Sequence, residues 1–120
     1  MAYTPYSGFR VGAALLTEDG QVYQGCNIEN AAYTPTNCAE RTAFFKAISD
    51  GERRFAAIAV VGGPGESMEN YCPPCGVCLQ VMQEFCPPDF KVYLGRADGE
   101  YQELTLADLL PQGFGPDSLA

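Results

Sequence analysis

At 120 residues, 47% of them hydrophobic, the chain has the size and composition of one domain around a single core, which excludes a disordered polypeptide. Fifteen acidic against seven basic residues give a net charge of −8, and such a surface repels a phosphate backbone and lacks the basic patch that nucleic-acid binding needs. No apolar run approaches the roughly 18–20 residues of a membrane span, and the opening Met1-Ala2-Tyr3-Thr4-Pro5-Tyr6 has neither the basic start nor the apolar stretch of a signal peptide. A cytoplasmic protein with a small, uncharged or weakly charged substrate is expected, without nucleic-acid or membrane partners.

Residues 1–120 read as a single domain, with no internal repeat or linker. Phe9 to Leu16 is a short apolar run closed by Glu18-Asp19-Gly20, which predicts a strand entering a hairpin turn, with Gln21 to Cys26 returning. Asn27 to Asn37 reads as a loop, from which Thr36 or Asn37 is placed to cap a following helix. That helix is predicted from about Cys38 to Asp50, stopping at Gly51, with Ala39, Ala43, Phe44, Ala47 and Ile48 at helical spacing. Phe55 to Val61 is continuously apolar, the pattern of a strand buried on both faces. A Gly/Pro-rich loop is expected from Gly62 to Pro74. A second helix should run from about Gly76 to Phe85, with Val77, Val81 and Phe85 on one face. Strands are expected at Phe90 to Leu94 and Glu100 to Leu104, and Thr105-Leu106-Ala107-Asp108 reads as the start of a short capped helix. Helices alternating with buried strands predict a layered α/β domain.

The six cysteines come without a single histidine. They are too sparse for a disulfide scaffold and accompany no secretory signal, so metal binding or chemistry is the better reading. Cys75 and Cys78 stand at i and i+3, which places both sulfurs on one side of a first helical turn. Cys38, at the start of the other helix, can be the third ligand. Three protein ligands leave the fourth position of a tetrahedral zinc site for water, the arrangement of a catalytic rather than a structural site. Three thiolates and Zn²⁺ sum to a negative centre, so positive charge must offset them. The two helix N-termini supply part of it. Arg41, three residues after Cys38 on the same helical face, is placed to donate to a ligand sulfur. Glu40 would close the site if it bound the metal, and its more useful role is to move protons beside the bound water.

The chain resembles the small homotetrameric zinc-dependent cytidine deaminases along nearly its whole length. The resemblance rests on Phe9-Arg10-Val11-Gly12-Ala13-Ala14-Leu15, Gly25-Cys26-Asn27-Ile28-Glu29-Asn30-Ala31, Cys38-Ala39-Glu40-Arg41-Thr42-Ala43, Pro74-Cys75-Gly76-Val77-Cys78 and Leu109-Leu110-Pro111 followed by Phe114. It implies a three-layer α/β/α cytidine deaminase-like domain with a five-stranded mixed sheet. It also implies one zinc ion per subunit, and a hydrolase acting on a cyclic amidine C–N bond that converts free cytidine and deoxycytidine to uridine and deoxyuridine plus ammonia in pyrimidine salvage. Glu40 would carry protons from water to ring N3 and to the leaving group. Phe9 would pack on the base, the backbone at Ala39 would hold it, and Asn27 and Glu29 would bind sugar hydroxyls. Tyr33 and Phe114 would complete active sites across subunit boundaries of a homotetramer.

Two departures stand out. Relatives usually carry an N-terminal helix ahead of the segment matching Ala2 to Ser7. Here the chain starts at that segment, which leaves either a piece of a longer protein or a sheet face without that cover. Many relatives also have arginine after the last zinc cysteine, where this chain has Leu79. Two rival readings remain at this point. Cys72-Pro73-Pro74-Cys75-Gly76-Val77-Cys78 with Cys86-Pro87 echoes an iron–sulfur run with a longer last gap. Cys38, Cys72, Cys75 and Cys78 could instead form a closed structural zinc site. Cys26 and Cys86 read as buried thiols.

Overall fold

Alternation of side chains along each strand decides which face of this sheet is covered. The structure is a computed structural model and describes residues 1–64, 71–96 and 98–119. β1 (Phe9–Thr17) turns into β2 (Val22–Cys26) as an antiparallel hairpin. The turn is closed by Thr17, whose amide donates to the Gln21 carbonyl at 2.9 Å and whose hydroxyl accepts from the Gln21 amide at 2.9 Å. Gly20, at φ +90°, supplies the left-handed position. After α1 (Ala39–Ser49) the chain enters β3 (Phe55–Pro64), crosses through α2 (Gly76–Phe85) to β4 (Lys91–Gly95), and returns along β5 (Tyr101–Thr105) into α3 (Leu106–Leu109). The sheet order is β2-β1-β3-β4-β5, with β3 and β4 parallel and the other neighbours antiparallel.

Register puts Ala13 opposite Val60, Leu15 opposite Ile58, and these two β3 residues opposite Leu94 and Val92. All six are buried and project from one face, where they meet Ala39, Ala43, Phe44 and Ala47 of α1 and Cys78, Leu79 and Met82 of α2. Phe44 lies 5.0 Å from Phe55 and 6.2 Å from Phe90, ring centre to ring centre, and Phe55 reaches Phe85 at 6.5 Å. Edge-to-face aromatic contacts of this kind add stabilisation beyond the area they bury.

The α/β class and the five-stranded mixed sheet are as expected. Among the described residues, however, the helical layer covers one face only. β3 is therefore not buried on both sides: Ala56 and Ala59 are exposed and Ala57 and Val61 half-buried. A cleft of about 590 Å³, bordered by Met1, Arg10, Gln24, Cys26, Lys46 and Val61, lies along this open side. β3 also runs three residues further than expected, to Pro64. Of the predicted loop, residues 65–70 lie outside the described residues.

Helix ends correct two further expectations. Neither Thr36 nor Asn37 caps α1; the N-cap is Cys38, and its side chain makes no capping hydrogen bond. In α2 the buried residues are Cys78, Leu79 and Met82, while Val77 is exposed. The capping box at α3 is as predicted: the Asp108 amide donates to the Thr105 hydroxyl at 3.2 Å, and the Thr105 amide donates to the Asp108 carboxylate at 2.9 Å.

Gly25 sets how closely β2 approaches α1. A Cβ there would sit 2.3 Å from the Ala39 carbonyl oxygen and 2.6 Å from the Ala43 nitrogen, both backbone atoms of the helix. Gly25→Ala is therefore expected to cost about 3 kcal/mol, the upper end for overpacking, read as a lower denaturation midpoint. An unchanged midpoint would mean that the helix shifts freely.

Candidate active site

Sheet topology gathers the chemistry at one edge. β1 runs antiparallel to both of its neighbours, so its first residue, Phe9, lies at the same edge as the ends of β2 and β3. The loops leaving that edge lead into α1 and α2, and Cys38 and Cys75 are the N-caps of those helices. Ligand sites in open α/β sheets collect at such carboxyl ends.

Cys38 and Cys75 share an unusual feature for N-caps. Both have extended backbones, with φ/ψ of −75°/155° and −73°/167°, and neither side chain makes a capping hydrogen bond to its helix. A serine or aspartate in either position would satisfy a helix amide and stabilise the helix by about 1 kcal/mol. The sulfurs instead turn toward one another: Cys38 Sγ lies 3.4 Å from Cys75 Sγ, and Cys75 Sγ lies 3.4 Å from Cys78 Sγ. All three sulfurs fall within 4.8 Å of one another. Tetrahedral bonds of about 2.3 Å from zinc to sulfur place ligand sulfurs about 3.8 Å apart, so this trio fits the ion with only small adjustment. Among the described residues the metal-competent group contains neither Cys72 nor Glu40. That disfavours the closed four-thiol site. Cys86 is buried in the hydrophobic core, outside the metal-competent group, which disfavours the iron–sulfur reading.

Electrostatics at the trio follow from close packing of like groups. Cys38 is held down to about 5, chiefly by the polar Cys78 thiol nearby, with Arg41 and Cys75 adding to the effect. The same contact and burial push Cys78 up. A divalent cation held by the sulfurs would favour the thiolate form of all three. Arg41 Nη2 donates to Cys38 Sγ at 3.4 Å and to the Thr36 carbonyl at 3.3 Å. Leu79 is buried in the core. Positive charge at the sulfurs therefore comes from Arg41 and the two helix starts.

Glu40 is only 4% exposed although it is an acid. Burial raises its pKa above the usual carboxylate range, and the neighbouring Cys38 thiolate raises it further. Its neighbour Ala39 is fully buried and, as the first helical residue, has a backbone N–H without a partner inside the helix. Cys72 is half-buried beside the site, its thiol pushed up by burial and then by the charges of Glu40 and Cys38.

The remaining predicted residues separate into groups. Asn27 is committed to the β1 backbone, accepting from the Val11 amide at 2.9 Å and donating to the Phe9 carbonyl at 2.8 Å. Glu29 accepts from the Tyr6 and Ser7 amides at 3.0 and 3.1 Å and from the Ser7 hydroxyl. These bonds hold its pKa below the usual value, the hydroxyl contributing most. Tyr33 has φ +65°, is 73% exposed and stands edge-on to Tyr6 at 6.4 Å. With Tyr6, Ser7, Glu29 and Thr36 it lines a cleft of about 380 Å³. Phe114 is instead held on α2, where the Gln80 side chain donates to its carbonyl at 2.7 Å; its ring is 60% exposed. Sequence reading missed Ser7, Tyr6 and Gln80. A serine followed by a glycine needing φ +69° was the available sign of a tight turn at Ser7.

A family model described as the cytidine and deoxycytidylate deaminase zinc-binding region matches residues 1–94. A cytidine deaminase of Sporosarcina psychrophila is 56% identical over 119 residues, covering 99% of this chain and 85% of that protein. One from Mycobacterium tuberculosis H37Rv is 42% identical over 118 residues, 98% of this chain and 82% of that protein. Among solved structures, cytidine deaminase from Burkholderia pseudomallei superposes with a TM-score of 0.86 at 50% identity, covering 94% of this chain and 87% of the other.

Proposed function

The chain belongs to the cytidine deaminase family, and from that membership we infer that its site hydrolyses the exocyclic C–N bond of cytosine in free cytidine and deoxycytidine. The observation that carries this reading is the trio of thiols with a buried carboxyl beside it: Cys38, Cys75 and Cys78 within 4.8 Å of one another, and Glu40 next to Cys38 but outside the trio.

Cys38, Cys75 and Cys78 would hold one zinc ion. When bound, the ion supplies Lewis-acid activation of the water that adds to C4 of the ring. Glu40 would take one proton from that water and deliver it to ring N3, then take the second proton from the hydroxyl now on C4 and give it to the departing amino group. Oxygen replaces nitrogen at C4, and ammonia leaves. Burial suits Glu40 to this work, because a carboxyl raised toward neutrality both accepts and gives protons readily. Arg41 offsets the thiolate charge. The Ala39 N–H would donate to the base, and Phe9, 39% exposed at the site edge, would stack its ring on it. Glu29, kept ionised, is an acceptor for a sugar hydroxyl.

Residues 1–120 act as one catalytic domain in this reading. The exposed rings of Tyr33 and Phe114 support a homotetramer whose subunits complete one another's sites. Free thiols at the site suit a reducing compartment, which supports cytoplasmic pyrimidine salvage as the setting.

Incubation with cytidine and with deoxycytidine, following loss of the cytosine ultraviolet band with and without a zinc chelator, tests the reading. Both nucleosides are expected to be consumed, and chelation to stop the reaction. No spectral change with either nucleoside would return the thiol trio to a structural role.

A further inference from the structure

We propose that Ser7 is a positioning residue that locks the sugar acceptor and the base platform into one unit, and so sets how strongly the site depends on the sugar hydroxyls. The inference rests on the roles given above to Glu29 and Phe9. Among the described residues, Ser7 is the one side chain that bonds to both: its hydroxyl donates to Glu29 Oε2 and accepts from the Phe9 amide at 3.0 Å. The Ser7 amide also donates to Glu29 Oε1 at 3.1 Å, beside the Tyr6 amide at 3.0 Å.

An ionised carboxylate offers about four acceptor positions. Three are occupied by the segment around Ser7, which leaves one directed acceptor for a ligand hydroxyl. The segment is itself fixed. The Tyr3 amide donates to the Asn27 carbonyl at 3.0 Å, the Glu29 amide donates to the Tyr3 carbonyl at 2.8 Å, and the Gly8 amide donates to the Thr4 carbonyl at 3.1 Å. Gly8, at φ +69°, makes the turn that brings the Ser7 hydroxyl back to the Phe9 amide. Asn27 holds the Phe9 carbonyl from the other side. Without the Ser7 hydroxyl, Glu29 Oε2 is free to rotate away and the Phe9 amide loses its acceptor.

The test compares cytidine with 2′,3′-dideoxycytidine, which lacks both ring hydroxyls, on the zinc-loaded wild type, Ser7→Ala and Ser7→Thr. The preference for cytidine is read as a ratio of kcat/KM values and, by calorimetry, as a ratio of Kd values. Ser7→Ala is expected to lower that preference about tenfold, the scale of one lost hydrogen bond to a charged group, with zinc content and melting temperature unchanged. Ser7→Thr keeps the hydroxyl and should keep the ratio. A general loss of structure would lower both substrates together and leave the ratio intact, and that result overturns the proposal. Because Kd is measured separately, a wild type that binds cytidine without converting it overturns the deaminase reading while the Ser7 ratio still decides its own question.

Discussion

Replacing Glu40 with glutamine is expected to leave the metal in place and lower the rate of deamination by about 10²–10⁴-fold, the usual contribution of a positioned acid–base group. The substitution keeps volume and hydrogen-bonding capacity in a position only 4% exposed, so the fold should survive. In the proposed mechanism it removes the group that takes a proton from water and hands it to the ring. Because Glu40 lies outside the thiol trio, zinc content measured by elemental analysis should match the wild type. KM for cytidine should change little, because the effect belongs to the transition state. Near wild-type turnover in this variant would remove Glu40 from the mechanism.

The cysteines should divide sharply when replaced one at a time. Cys75→Ala leaves the core untouched, since Cys75 is exposed, yet it removes the sulfur that lies 3.4 Å from each of the other two. Zinc affinity is expected to fall by more than about 10²-fold, beyond the 10–100-fold typical of groups that only support a ligand, and activity should go with it. Cys72→Ala is expected to keep both zinc and turnover, because Cys72 stands outside the trio. Metal content after dialysis against a weak chelator checks both outcomes. Zinc loss from the Cys72 variant would redraw the ligand set, and retention by the Cys75 variant would dissolve it.

What could be read from sequence was what local spacing controls. Cys75 and Cys78 are one helical turn apart, and no fold is needed to see that their sulfurs share a side. Thr105 and Asp108 form a capping box whose partners are three residues apart. α2 shows where this reasoning stops. Val77, Val81 and Phe85 and the set Cys78, Leu79 and Met82 both fit a helical stripe. Turning Cys78 toward the other thiols selects the second set and leaves Val77 in solvent. The cap of α1 was misread for a related reason: propensity favours Thr36 or Asn37, but the helix starts where the metal ligand must be. Asn27 and Glu29 were recognised as polar groups suited to a sugar. Their ties to Val11, Phe9, Tyr6 and Ser7 depend on a chain reversal invisible to spacing. Continuous apolar character in β3 likewise could not show that small residues on its second face stay partly exposed.

The two cysteine caps have a consequence for the chain as a polymer. Cys38 and Cys75 are 37 residues apart in sequence, and an ion held between them is a cross-link closing that whole loop. Treated like a covalent bridge, closure of such a loop restricts the unfolded chain by an amount worth about 4 kcal/mol. Unlike a disulfide, the link survives in a reducing environment and comes undone when the ion is withdrawn. Metal supply would thus govern how long the protein lasts as well as how fast it works.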